Sequence, residues 1–181
     1  MVKSAYSFAT QKEKIESHII VVWVDNESGV LARVVGLFSG RGYNIDSLAV
    51  AEVDKKKNIS RITISTSGTQ QVLQQIKLQL GKLVPVHKVA DFPANKKTLL
   101  REMALIKIVS VKTKLEKAKK LCKKYKYTVI DRTQKSYVFE ISALKKEIDQ
   151  LVKKLQPLGL ASVSRTGVVA MTKGSEIFKQ N

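Results

Sequence analysis

The 181-residue sequence predicts an α+β fold built from antiparallel sheets and laid down twice along the chain. Three observations predict it. Runs of β-branched residues of strand length alternate with stretches whose apolar residues recur at helical spacing. These segments follow the order β-α-β-β-α-β up to Phe92-Pro93, and the same order then returns. Hydrophobic residues make up 44% of the chain, enough for a packed core, while the longest apolar run, Ile19–Val24, is far too short to cross a bilayer.

The elements follow in order. His18–Val24 is a continuous β-branched run, the pattern of a strand covered on both faces. Asp25-Asn-Glu-Ser-Gly29 ends it with turn chemistry. Val30, Leu31, Val34, Val35, Leu37 and Phe38 then fall at helical spacing, and Gly40-Arg-Gly42 supplies a helix stop. Ile45–Val53 reads as a strand and Asp54–Asn58 as a charged hairpin tip. In Ile59–Thr66, Ile62 and Ile64 face opposite to Arg61, Thr63 and Ser65. Val72, Leu73, Ile76 and Leu80 predict a helix over Thr69–Leu80, and Val84–Val89 a short strand, with Pro85 marking an edge strand or a strand start.

Ala94–Thr98 reads as a linker, and the second copy begins with a strand at Glu102–Val109. Leu115, Ala118, Leu121 and Cys122 mark a Lys-rich helix, and Tyr127–Arg132 with Tyr137–Ser142 a hairpin pair. Leu144, Ile148, Leu151, Val152 and Leu155 mark a further helix, and Leu160–Ser164 and Val168–Met171 finish the unit. The topology is ferredoxin-like in both copies. The domains predicted are 18–93 and 99–175, with a linker at 94–98, a flexible arm at 1–17 and a tail at 176–181. The arm has no hydrophobic segment of a secretion signal, and Glu13 and Glu16 argue against a transit peptide, so a cytoplasmic protein is expected.

Net charge is +18, of which residues 1–93 carry +4 and residues 94–181 carry +14. Such a balance invites a reading as a basic RNA-binding module on the same fold. Yet RNA-recognition sheets stack bases on aromatics of their central strands, and Ile59–Thr66 has none. The cations are 27 Lys to 6 Arg, whereas nucleic-acid contacts favour the Arg fork. Lys112, Lys114, Lys117, Lys119, Lys120, Lys123, Lys124 and Lys126 read as a solvated helix face.

No catalytic constellation emerges. The single Cys122 excludes a disulfide framework and a multi-cysteine metal site. His18 and His87 are the only histidines, and neither sits in a ligand or nucleophile motif. Gly40-Arg-Gly42 lacks the spacing of a phosphate loop. Catalytic residues, metal ligands and cofactor sites are therefore expected to be absent.

Asn26–Arg33 carries two readings. The loop leaves a buried strand and opens a helix, so backbone N–H groups around Gly29–Leu31 present a positive helix end suited to a carboxylate. Gly29 lets a ligand approach the backbone, and the Asn26 amide can both accept from an ammonium and donate to a carboxylate. An α-amino acid carries both groups. Alternatively, Asn26 shapes the turn, Ser28 caps the helix and Gly29 relieves strain. Gly42–Asp46 is open in the same way: Gly42 ends the helix, and Asn44 is a turn residue or offers its amide to a ligand held by a neighbouring subunit.

Asp25-Asn-Glu-Ser-Gly-Val-Leu-Ala-Arg-Val-Val-Gly-Leu-Phe-Ser-Gly-Arg-Gly-Tyr-Asn-Ile-Asp-Ser-Leu48 closely resembles the ACT-domain segment of the regulatory (small) subunits of acetolactate synthase, also called acetohydroxyacid synthase. Ser60–Ile64, Gln75–Val84, Arg101–Ile108 and Arg165–Val169 resemble later family segments in the same order, so the likeness spans about residues 18–175. The resemblance implies a non-catalytic subunit whose residues 18–93 form an ACT regulatory domain. It would bind and activate a thiamine-diphosphate-dependent catalytic subunit and confer valine feedback on branched-chain amino-acid biosynthesis. Thiamine diphosphate, Mg²⁺ and FAD would belong to that partner, with no nucleic acid or membrane involved. A homodimer would hold valine between Asn26, Gly29, Val30 and Leu31 of one chain and Asn44 and Ile45 of the other.

Overall fold

The computed structural model describes residues 15–92 and 98–175; the rest of the arm, residues 94–97 of the linker and the tail lie outside the described residues. The N-terminal unit contains β1 (Glu16–Asp25), α1 (Val30–Ser39), β2 (Ser47–Asp54), β3 (Ile59–Gly68), α2 (Gln70–Leu80) and β4 (Val86–Phe92). The C-terminal unit contains β5 (Thr98–Val109), α3 (Lys112–Cys122), β6 (Lys126–Arg132), β7 (Ser136–Ala143), α4 (Lys145–Leu155), a 3-10 turn (Gln156–Leu158), β8 (Leu160–Arg165) and β9 (Val169–Thr172).

The two units repeat one antiparallel topology. Strand order is β2-β3-β1-β4 in the first and β6-β7-β5-β8 in the second, as the twofold βαββαβ pattern predicts. In β1, Ile20, Val22 and Val24 point to the helices, where they meet Val34, Phe38, Ile62, Ile64, Ile76 and Leu80 in one core. In the second unit, Ile106, Ile108, Leu115, Phe139, Ile141 and Ile148 do the same. Each fully buried side chain of this size contributes about 1.5–3 kcal/mol. Burial also pushes the Cys122 thiol up to about 12.

The opposite face of β1 explains why its stretch Ile19–Val24 is apolar at every position. Ile19, Val21 and Trp23 join Ile59, Ala90 and Phe92 in a third core, closed by Val168 and Ala170 from the C-terminal unit. Here the structure departs from the sequence expectation. Val168–Met171 was expected to finish the second sheet, but β9 pairs with the first residues of β5, from Thr98↔Thr172 to Arg101↔Val169. This two-stranded ribbon lies on the back of the N-terminal sheet. Thr98, assigned to the linker, is therefore a strand residue. β5 is twelve residues long and carries the chain from one unit to the other.

Other boundaries shift for local reasons. β1 starts at Glu16, inside the stretch read as an arm, because Glu16 and Ser17 pair with Gly68 and Ser67. β2 starts at Ser47 rather than Ile45, since the Asn44 carbonyl is taken by the Thr66 hydroxyl at 2.6 Å. β4 starts at Val86, whose N–H closes a turn on Leu83, while the Pro85 carbonyl accepts from Asp25 N–H at 2.9 Å.

Candidate functional site

The loop after β1 is tied to the β2–β3 hairpin by three hydrogen bonds. Asn26 N–H donates to the Asn58 carbonyl at 2.7 Å. The Ser60 hydroxyl donates to Asn26 Oδ1 at 3.0 Å, and Asn58 Nδ2 to the Asn26 carbonyl at 3.3 Å. The Asn26 side chain is thus oriented through its oxygen. That oxygen keeps a second lone pair, and the amide nitrogen remains a donor. Ser60 and Asn58 did this work unnoticed by sequence reasoning; their only signal was a position on the hairpin that returns beside Asn26.

Gly29 occupies the N-cap position of α1 with φ +85°, and no side chain caps the helix. The capping role offered for Ser28 is therefore not filled. α2 is built differently, since Thr69 accepts from Val72 N–H at its start. Gly29 has a conformational reason to be glycine. The space over it is also open: a Cβ there would meet nothing within 4 Å. The loop combines an uncapped helix N-terminus, exposed backbone and a fixed amide, features that suit a small carboxylate.

The predicted residues distribute as follows. Asn26, Gly29 and Leu31 are exposed around the loop, whereas the Val30 side chain is buried in the helix-side core and its N–H reaches the Glu27 carbonyl at 3.4 Å. Leu31 and Val35, one turn apart on α1, leave an exposed apolar stripe beside it. Asn44 and Ile45 lie beyond the other end of α1, a ten-residue helix about 15 Å long. There Asn44 Nδ2 donates to Asp46 Oδ1 at 2.7 Å, Ser67 Oγ donates to Asp46 Oδ2 at 3.0 Å, and Ile45 packs on the core. Within one chain α1 separates the two groups.

The histidines sit at strand ends in charge clusters. His18 Nδ1 lies 2.8 Å from Asp91, which Lys77 also reaches at 3.1 Å, and His87 Nε2 lies 2.7 Å from Asp25. Among the described residues, no group of His, Cys, Asp and Glu is placed to hold a metal ion, and no helix is long and apolar enough to cross a membrane. The sheet face on which an RNA module would stack bases is covered in the N-terminal unit, where Trp23 and Phe92 are buried under β9.

Two arginines shape the junction between units. Arg61 from β3 spreads its guanidinium 5.4 Å from the Trp23 ring and 6.0 Å from that of Phe92, and donates to the Ala170 carbonyl, clamping β9 to the sheet. Burial lowers its pKa. Arg165 grips Glu102 through two bonds of 2.7 Å and Asp149 through one of 2.6 Å. These partners lie too far apart in sequence for any local pattern to reveal them.

The antiparallel β2-β3-β1-β4 sheet of the βαββαβ unit is the fold of an ACT domain. A family profile described as an AHAS small subunit-like ACT domain matches residues 20–88, and one described as the small subunit of acetolactate synthase matches residues 101–174. The acetolactate synthase small subunit of Aquifex aeolicus is 34% identical over 171 residues, which is 94% of this chain and 88% of that one. The acetolactate synthase isozyme 3 small subunit of Salmonella typhimurium is 37% identical over 162 residues, 89% of this chain and 98% of that one. The crystal structure of the acetolactate synthase small subunit from Thermotoga maritima is similar with a TM-score of 0.80 at 31% identity, covering 89% of this chain and 99% of that one. The chain belongs to the acetolactate synthase small-subunit family.

Proposed function

We propose that this chain is the non-catalytic regulatory subunit of a thiamine-diphosphate-dependent acetolactate synthase, works in the cytoplasm, activates the catalytic chain and makes it sensitive to valine. The cofactors, thiamine diphosphate, Mg²⁺ and FAD, belong to the catalytic chain. The observation that carries the reading is the uncapped, positive start of α1 at Gly29, beside the oriented Asn26 amide and the apolar Leu31. The helix end suits the valine carboxylate, the amide pairs with carboxylate and ammonium, and Leu31 offers a surface to the isopropyl group.

The test is reconstitution. The purified chain should make no acetolactate from pyruvate with thiamine diphosphate and Mg²⁺ supplied. Added to its catalytic subunit it should raise activity, and valine should then lower it. Turnover by this chain alone, or a reconstituted enzyme indifferent to it, would sink the reading.

The reading requires a dimer, and β2 supports one. Among the described residues this strand pairs with β3 alone, which leaves its outer edge open. Ser47–Ala51 contains no Lys, Arg or Pro, the residues that usually block an edge, and Val50 and Val53 are exposed. A second β2 across a twofold axis would satisfy that edge. The full chain is the right material for the test, because residues 18–93 alone would expose the core around Val21, Trp23 and Phe92. Val50→Lys should raise the dimer dissociation constant at least tenfold by light scattering, and valine inhibition should fall with it. A dimer unmoved by the substitution would place the seam elsewhere.

A further inference from the structure

The segment that would hold valine from the second chain also touches the C-terminal unit. Ser47 begins β2, two residues after Ile45. It lies against Gly167, in the turn between β8 and β9. Gly167 has φ +79°, and a Cβ added there would sit 3.0 Å from Ser47 Cβ and 3.2 Å from its Oγ, closer than the ordinary carbon contact of about 3.5–4.0 Å. The bare backbone of Gly167 is therefore seated directly on the Ser47 side chain.

The turn is anchored on its other side. Thr166 N–H donates to the Met103 carbonyl at 3.1 Å, and Met103 N–H to Thr166 Oγ1 at 3.2 Å. Arg165 holds Glu102 through two bonds. Glu102 and Met103 are the point at which β5 leaves the ribbon on the N-terminal sheet and enters the C-terminal sheet. A shift of Ser47 thus meets no compliant side chain at residue 167. It displaces a turn bonded to the root of β5. A cavity of about 370 Å³ beside the contact, bounded by Asp46, Leu48, Glu102, Lys145 and Arg165, leaves room for the displacement.

We propose that Gly167 is a positioning residue through which the C-terminal unit reads the effector: valine held at Asn44 and Ile45 moves or fixes Ser47, and the Ser47–Gly167 contact passes that position to β5. The inference rests on the reading of Asn44–Ile45 as half of the effector site. The two coupled ligands are valine and the catalytic subunit, so the reciprocal effect on valine affinity arises only when the catalytic subunit is bound.

A double-variant cycle on the full chain, reconstituted with its catalytic subunit, tests it. Gly167→Ala overfills the contact and Ser47→Gly empties it. Each should raise the valine concentration for half-inhibition at least tenfold while retaining activation of the catalytic subunit. In Gly167→Ala/Ser47→Gly the new methyl group occupies the space the serine side chain left, and inhibition should return to within threefold of wild type. Valine binding to the free small subunit, measured by calorimetry, should stay within threefold throughout. Backbone strain at residue 167 does not depend on Ser47, so a merely structural glycine predicts losses that add rather than rescue. Additive losses, or single variants inhibited like wild type, would overturn the coupling while leaving the effector site standing. A wild-type chain that binds no valine would overturn the effector site itself, and this inference with it.

Discussion

Gly29→Asp should abolish valine inhibition of the reconstituted enzyme, and Gly29→Asn should leave most of it. Both side chains fit the open space over residue 29, where a Cβ meets nothing within 4 Å. Both must adopt φ +85°, which Asn and Asp tolerate better than other residues with a Cβ. They differ in charge. Aspartate brings a carboxylate to an uncapped helix N-terminus, satisfying the N–H groups proposed for the ligand and repelling the ligand's own carboxylate. The same interaction favours the helix, so the variant should remain folded and still activate the catalytic subunit. Removing a coupling of about 1–3 kcal/mol erases ordinary allosteric control. Activation and valine inhibition measured on one preparation separate the possibilities. Equal loss in both variants would mean that Gly29 serves only the turn, and intact inhibition in a folded Gly29→Asp protein would place the site elsewhere.

The comparison matters because glycine at position 29 has two sufficient explanations, and the sequence offered no means to choose. A Gly that closes the turn Asp25-Asn-Glu-Ser-Gly29 reads equally as strain relief or as close approach to a ligand. The structure removes the Ser28 cap and gives the strain-relief reading its basis, a φ of +85° at Gly29.

The alternation in Ile59–Thr66 was enough to sort Ile62 and Ile64 onto the helix side, because a strand exposes its period directly. The unbroken run Ile19–Val24 said that both faces of β1 are covered. It did not say by what, since the cover comes from Val168 and Ala170, which reach the sheet only through the distant pairing of β9 with the start of β5. Local patterns carry periodicity and turn chemistry but not contacts between remote segments. For the same reason the alternation set Arg61 on the face opposite Ile62 and Ile64 but did not show that it closes over Trp23 and Phe92. The candidate loop was legible as a motif. Its support by Ser60 and the ten-residue helix that keeps Asn44 from Asn26 were not.

Arg165→Met should lower stability by about 3–5 kcal/mol, the usual penalty for removing one partner of a buried ion pair. Glu102 is 3% exposed, and both of its oxygens accept from Arg165 at 2.7 Å. Removing the guanidinium strands that carboxylate inside the junction of the two units. The third bond matters less: Asp149 is 44% exposed, and Asp149→Ala should change stability by under about 1 kcal/mol. In the native protein the paired carboxylates hold the Arg165 proton above its ordinary value, so the guanidinium stays charged wherever the protein is folded. For a chain of this size each kcal/mol corresponds to about 2–4 °C, so Arg165→Met should lower the melting temperature by roughly 6–20 °C. Arg165→Met/Glu102→Leu should recover most of that loss, because the penalty belongs to the unpaired charge rather than to the absence of the bridge. Thermal melts of the single and double variants settle it. A single variant as stable as wild type would mean that water reaches Glu102, and a double variant no better than the single would mean that the loss comes from the Thr166–Gly167 turn that Arg165 anchors.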